Sequence, residues 1–232
     1  MRKEYTESDR TTKVVGLIPA RYHSSRFEGK PLAMISGIPM IQRVYNQSMQ
    51  SKSLASVIVL TDNSDIYDFC LSMRMECLIV NGDCFTGTDR CAKAIKDIEG
   101  DVFVNIQGDE PLINPEAIDK LVESHTLGSV SNAYVELNFY SEKRHDNNVV
   151  KVVTDTYDNA LYYSRLSIPY VQKEETIVKQ QLGLYAFNRE FLEIFPTLPV
   201  GDLEKSESVE MFRFIENGYK VKMVEVNDIG LS

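Results

Sequence analysis

Short apolar runs alternate with helical patterns through the first half of this chain, and that alternation restricts its fold more than any other feature. Residues 14–19, 56–60, 77–80 and 102–106 are brief runs dominated by Val, Ile and Leu, too short for helices. Between and after them, residues 39–51, 65–73, 89–97 and 115–124 space their apolar side chains as helices do. Ile41, Val44 and Tyr45 share one face of the first, and Cys91, Ala92, Ala94 and Ile95 follow helical spacing in the third. Strands that alternate with helices imply a parallel sheet joined by right-handed crossovers.

Beyond Gly128 the pattern changes. Residues 149–154, 182–187 and 220–226 are strand-like. Residues 203–217 read as one helix with Val209, Phe212 and Ile215 inside and Gly218 as its stop. Residues 141–148 and 172–179 are polar connections, the second charged and suited to a flap or a partner surface. The expected fold class is α/β: a Rossmann-like, mostly parallel sheet flanked by helices, with a smaller C-terminal α/β lobe. At 232 residues the chain is long enough to bury such a core.

Composition excludes several functions. With 43% hydrophobic and 25% charged residues, the chain is globular rather than disordered. No apolar run approaches the roughly 20 residues that span a bilayer, so no membrane insertion is expected. The first 13 residues lack the apolar centre of a signal peptide, and a cytoplasmic location is the expectation. A net charge of -9 argues against nucleic acid as a partner. Cys70, Cys77, Cys84 and Cys91 lack the close pairs of a zinc site and read as reduced structural thiols. His23, His125 and His145 are scattered and suggest no metal cluster.

Against this acidic background, the loop after the first strand is basic. It carries Arg21, Ser24, Ser25, Arg26, Gly29 and Lys30. A loop at the carboxyl end of the first strand of an α/β sheet is placed to hold polyphosphate. It is not a Walker A element, because Ser24 stands where that motif needs Gly and Pro31 follows Lys30. A Gly-x-Gly-x-x-Gly dinucleotide fingerprint is absent too. Another strand runs into Gln107-Gly108-Asp109-Glu110-Pro111. Asp109 there is suited to Mg²⁺, which takes one or two carboxylates and completes its shell with water and phosphate. Taken alone the segment reads as a turn, since Gly, Asp and Pro are turn formers; beside the basic loop the site reading is stronger. Thr86 or Thr88 caps a helix, with Asp89 in its first turn. Thr61-Asp62 reads as a cap before residues 65–73, with or without a ligand contact.

The segments Pro19-Ala20-Arg21, Ser24, Arg26 and Gly29-Lys30-Pro31-Leu32 form a pattern with those that follow. These are Thr61-Asp62, Thr86-Gly87-Thr88-Asp89-Arg90, the Gln107–Pro111 run, Asn148-Val149-Val150-Lys151-Val152-Val153, Ala160-Leu161-Tyr162-Tyr163-Ser164-Arg165 and Leu182-Gly183-Leu184-Tyr185. In this order, from about residue 13 to the last residue, the chain resembles the CMP-sugar synthetases, a branch of the nucleotidyltransferases. It is most similar to those acting on 3-deoxy-octulosonate-type acids. The resemblance implies Mg²⁺-dependent cytidylyl transfer from CTP to a sugar acid, with pyrophosphate leaving. It implies Arg21, Lys30 and Asp109 as catalytic residues, with Asp109 on the metal. Around the nucleotide it implies Ala20, Arg21, Ser24, Ser25, Arg26, Lys30, Asp62, Thr86, Gly87, Thr88, Arg90 and Gln107. On the acceptor side it implies Gln107, Lys151, Arg165, Gln181, Gly183, Tyr185, Glu204, Glu207 and Glu210. Read without the family, the three Glu form an acidic helix face, and Lys151 and Arg165 suit surface positions equally well. Other acidic acceptors, such as a nonulosonate, and a CTP-binding module without turnover are the alternatives.

The chain departs from the family pattern at three places. Gln181 replaces a usual His, Met211 a usual Gln, and Phe27-Glu28 a usual Leu-Pro. The first two predict an acceptor pocket less polar at two points. The expected organisation is a polar tail over 1–12 and one nucleotidyltransferase domain over 13–232. That domain stops just before the family's terminal Asp-containing turn and helix, and Asp228 does not occupy that motif position. A homodimer is expected from the resemblance.

Overall fold

The structure, a computed structural model, describes residues 12–22, 27–126, 128–172 and 176–227. The first half builds β1 (Val14–Ala20), β2 (Met34–Ile35), β3 (Ile38–Pro39), α1 (Met40–Ser48), β4 (Ser56–Thr61), α2 (Ser64–Ser72), β5 (Cys77–Ile79), α3 (Gly87–Ala94), β6 (Val102–Ile106) and α4 (Pro115–Ser124). The second half adds β7 (Val130–Leu137), β8 (Lys151–Thr154), β9 (Ala160–Ser164), β10 (Val178–Asn188), α5 (Arg189–Ile194), α6 (Asp202–Glu207), α7 (Phe212–Glu216) and β11 (Val221–Glu225).

The sheet order is β11-β7-β10-β6-β1-β4-β5. β6, β1, β4 and β5 run parallel, as the alternation requires, and β11 runs parallel to β7. β10 lies antiparallel between β6 and β7. The expected α/β architecture is therefore present. Its smaller C-terminal part continues the same sheet, with the β8–β9 hairpin branching from β10. β2 and β3 form a separate hairpin.

β1 is buried on both faces, which is why it reads as an unbroken apolar run. Ile18 and Ala20 face a core with Ile41 and Val44 of α1, Ile66 of α2 and Ile118 of α4. Val15 and Leu17 face the opposite core, with Cys91 of α3 and the cluster of Phe187, Phe195, Phe212 and Phe214. Each Val, Leu, Ile or Phe among them contributes about 1.5–3 kcal/mol on burial. The strands β1, β4 and β6 thus end at one sheet edge with their loops side by side, the usual place for a ligand in an open α/β sheet.

Two departures from the sequence reading matter. Residues 203–217 are not one helix. α6 ends at Ser208, which adopts a left-handed backbone with φ 54. The chain then folds back, so that Glu216 of α7 accepts hydrogen bonds from the Leu203 and Glu204 N–H groups at the start of α6. The second departure is at α2, which is capped by the Asn63 side chain rather than by Thr61-Asp62. Among the described residues, no helix is long and apolar enough to cross a membrane.

Candidate active site

Three strand-end segments meet around a cavity of about 480 Å³. Pro19, Ala20 and Arg21 come from the end of β1, with Lys30 beyond them. Thr86, Gly87 and Arg90 come from the start of α3, and Gln107, Gly108 and Asp109 follow β6. Close backbone packing makes this possible. A Cβ on Gly108 would lie 2.8 Å from the Pro19 carbonyl oxygen, so only Gly lets the exits of β6 and β1 approach so closely. Ser24, Ser25 and Arg26 lie outside the described residues, as do residues 173–175 of the charged connection and Asp228.

Lys30 donates to Asp109 Oδ2 at 2.6 Å across the cavity mouth. The two side chains are 39% and 50% exposed, so the pair is weak, worth about 1 kcal/mol or less. A phosphate can therefore displace Asp109 from Lys30 at little cost. Glu110 adds a second carboxyl beside Asp109. Burial pushes its pKa up and the neighbouring Asp109 charge adds to that, while Lys30 and Lys143 oppose it. This donor set fits Mg²⁺, which needs one or two carboxylates and leaves room for phosphate. Among the described residues, no group of three or more His, Cys, Asp or Glu forms an all-protein metal cage.

The α3 terminus is built as the sequence suggested. Thr86 caps it, accepting from the Asp89 N–H, and Asp89 returns the bond to the Thr86 N–H at 2.9 Å. Arg90 is buried and donates to the Val80 carbonyl and to Asp62 Oδ2, the latter at 2.6 Å. Asp62 therefore reaches the site by orienting Arg90. Thr88 corrects the expectation of a nucleotide contact through its side chain. It is fully buried, and its hydroxyl accepts from Asn105 Nδ2 at 3.0 Å.

On the acceptor side the structure separates residues that the sequence grouped. Because α6 stops at Ser208, Glu204, Glu207 and Glu210 do not share a helix face. Glu204 is buried and bound to the Arg213 guanidinium, which also donates to Asp89 Oδ1 at 2.7 Å. Glu207 accepts from Ser164 Oγ and the Arg165 N–H, and Arg165 Nε donates to the Glu207 carbonyl. These two residues tie β9 to α6. Glu210 alone turns to the α3 terminus, where its Oε2 accepts from the Thr88 N–H at 3.0 Å. Burial pushes the Glu210 carboxyl up, against the pull of the hydrogen bonds from Thr88 and Thr86. Lys151 is fully buried, and its ammonium donates to the carbonyls of Asp146, Val149 and Arg165. All three of its N–H bonds are spent, so the expected contact with a substrate carboxylate is corrected to a structural role. Met211 is likewise fully buried in the core and does not line an acceptor pocket. Gln181 Nε2 donates to the Tyr185 hydroxyl at 3.0 Å. Burial raises the Tyr185 hydroxyl pKa, and so does the nearby Glu210. Gly183 packs against Gln107, where an added Cβ would come within 2.5 Å of Gln107 Cγ.

Residues 15–223 match the family model described as Cytidylyltransferase. This chain belongs to the cytidylyltransferase family. It is similar to the 3-deoxy-manno-octulosonate cytidylyltransferase of Zea mays, 39% identical over 225 residues that cover 93% of this chain and 75% of that protein. It is also similar to the 8-amino-3,8-dideoxy-manno-octulosonate cytidylyltransferase of Shewanella halifaxensis, 41% identical over 215 residues covering 89% and 87%. Among solved structures, that of CMP:2-keto-3-deoxy-manno-octonic acid synthetase complexed with CTP matches with a TM-score of 0.88 and 33% identity. The match covers 95% of this chain and 92% of the other.

Three residues of this cytidylyltransferase escaped the sequence reading. Arg213 lies far along the chain from Asp89, and nothing local signals their pairing. Asn105 reads as part of an apolar strand, yet its amide fixes Thr88 behind the cavity wall. Glu110 carried a signal, since it stands next to Asp109 in a strand-end segment.

Proposed function

We propose that this chain activates a 3-deoxy-octulosonate-type sugar acid with CTP, giving the CMP-sugar and pyrophosphate. The observation that carries this reading is the meeting of Arg21, the Lys30–Asp109 pair and the capped α3 terminus around one cavity of about 480 Å³. That size falls within the range of roughly 300–1,000 Å³ typical of small-ligand sites. In the reaction an acceptor hydroxyl oxygen bonds to the α-phosphorus of CTP and its proton passes to solvent water. The bond from that phosphorus to the α,β-bridging oxygen breaks, and pyrophosphate leaves with the electron pair.

Little covalent work falls to the protein, so charge neutralisation and alignment carry the rate. Arg21 and Lys30 neutralise the phosphates, with Lys30 exchanging Asp109 for a phosphate oxygen. Asp62 and the Val80 carbonyl hold Arg90 in one orientation at the cavity wall. Asp109, with Glu110 beside it, would hold Mg²⁺, which would supply Lewis-acid polarisation of the phosphoryl oxygens and lower the pKa of the attacking hydroxyl. Gln107, Gln181, Gly183, Tyr185 and Glu210 form the acceptor side. The chain acts as a homodimer in this reading; the exposed Leu161, Leu166 and Tyr170 on and after β9 support that.

A second acceptor is favoured by one observation. Gln181 puts a neutral amide where the family pattern has a titratable His, which suits an acceptor altered at a hydroxyl, such as an amino variant. The test is pyrophosphate release from CTP and from ATP, with Mg²⁺ and 3-deoxy-manno-octulosonate, its 8-amino variant or a nonulosonate. Turnover with CTP and one of the octulosonates is expected. Equal turnover with ATP would remove the cytidine preference, and CTP binding without release for every acid would favour a binding module.

A further inference from the structure

We infer that Asn132, buried and remote in sequence from every strand-end loop, is a positioning residue for the acceptor side, setting the bulge in β10 that presents Gln181 and Gly183. This inference rests on the proposed transfer to a sugar acid. β10 changes partners midway. Its C-terminal half pairs with β6, from Leu184 opposite Ile106 to Asn188 opposite Val102. Its N-terminal half leaves β6 and pairs with β8 through Lys179 and Gln180. At the point of departure its register with β7 slips. Gln181 lies opposite Tyr134 and Tyr185 opposite Asn132, so Leu182, Gly183 and Leu184 together face Ala133. The slip opens the sheet beside the end of β6, where Gln107 begins the catalytic turn and packs on Gly183.

A bulge of this kind leaves strand carbonyls without ladder partners. Asn132 supplies them. Its amide Nδ2 donates to Leu182 O at 2.8 Å and to Leu184 O at 3.1 Å, gripping the bulge on both sides of Gly183. Its Oδ1 accepts from the Tyr163 hydroxyl at 3.2 Å, which fixes which way the amide points. Asn132 and Tyr163 are both 0% exposed, so water cannot substitute for either. An apolar residue at 132 would strip the side-chain donor from the Leu184 carbonyl and leave the Leu182 carbonyl to the Gln181 amide alone, and a bulge that shifts takes Gln181 and Gly183 with it. The nucleotide side, built from β1, α3 and the turn after β6, makes no hydrogen bond to this cluster in the described residues. The two substrates should therefore respond differently.

The experiment compares wild type with Asn132→Leu, close in shape but without the amide, and with Tyr163→Phe, which keeps the ring and is the milder change. Initial rates are measured with CTP and an octulosonate, and hydrogen exchange is followed at the 182–185 amides. The expected result is a rise of about tenfold or more in the acceptor KM for Asn132→Leu and a smaller rise for Tyr163→Phe. The CTP KM should stay within about twofold of wild type, and exchange at 182–185 should quicken. Equal rises in both KM values, or an unchanged acceptor KM in folded protein, would overturn the inference. If Asn132→Leu does not fold, Tyr163→Phe decides by the same criteria. If wild type itself turns over no octulosonate, the proposed function fails, and exchange at 182–185 alone judges Asn132: unaltered protection in the variants overturns it.

Discussion

Replacing Arg213 with Leu should be among the most damaging single changes in the protein, although the side chain does not line the cavity at the strand ends. Arg213 is 3% exposed, and its two carboxylate partners, Glu204 and Asp89, are 7% and 10% exposed. The guanidinium makes close contacts to both, at 2.6 and 2.7 Å, and lies 4.0 Å from the centre of the Phe195 ring. Removing it strands two carboxylates in a site that water scarcely reaches. Breaking a buried pair in this way costs about 3–5 kcal/mol, a large share of the 5–15 kcal/mol typical of a whole domain. Removing Glu204 as well should recover part of that loss, because one stranded charge disappears. The assay is urea unfolding of Arg213→Leu, Glu204→Leu and the double variant. The reasoning predicts that the double variant loses less than the sum of the singles, by about 1 kcal/mol or more. Additive losses, or a loss below about 1 kcal/mol for Arg213→Leu, would refute it. Asp89 also closes the capping box of α3, so folded Arg213→Leu should show a raised CTP KM.

Three further outcomes are expected. Lys30→Ala and Asp109→Ala, at exposed positions, should cost about 0.5 kcal/mol or less in unfolding experiments yet sharply reduce pyrophosphate release; wild-type turnover in either at saturating CTP and Mg²⁺ would remove that residue from the mechanism. The Glu210 carboxyl is raised from 4.5 chiefly by burial, so the folded state holds its proton more tightly than the unfolded chain. Its contribution is complete below pH 4.5 and is lost as pH rises through the folded value, so Glu210→Gln should gain stability relative to wild type across that rise; parallel thermal-unfolding profiles would contradict this. Met211→Gln should bury an amide in the apolar core and lower stability by about 1–3 kcal/mol, with acceptor preference unchanged in the folded fraction; a shift in preference would place the side chain in the pocket after all.

The first half of the fold was readable because its signals are local. β6 and α4 fall on the runs the sequence marked, and Thr86 caps α3 through the residues that suggested it. β7 was hidden because Ser131 and Asn132, both fully buried, interrupt its apolar character. Ser131 is satisfied by His125 at the end of α4, and Asn132 by two carbonyls of β10 and the Tyr163 hydroxyl of β9, partners that no local apolar pattern announces. The helix expected over 203–217 failed for a similar reason. The spacing of Val209, Phe212 and Ile215 suggests continuation through Ser208, but the buried Arg213–Glu204 pair and the Glu216 contacts to the start of α6 require the chain to turn back. That turn also dissolved the acidic stripe, leaving Glu210 alone at the α3 terminus. The residues that line the cavity were legible as clusters of charge and Gly at strand ends. The acceptor side was not, because a lysine whose charge is consumed by carbonyls looks the same in sequence as one that waits for a substrate.

The most direct test follows the α-phosphorus. The chain is incubated with CTP labelled at that atom, Mg²⁺ and 3-deoxy-manno-octulosonate or its 8-amino variant, and the products are separated. The account predicts label in a CMP–sugar ester, formed one for one with unlabelled pyrophosphate. Label that stays in CTP, or that appears only as free CMP with no sugar attached, would contradict it.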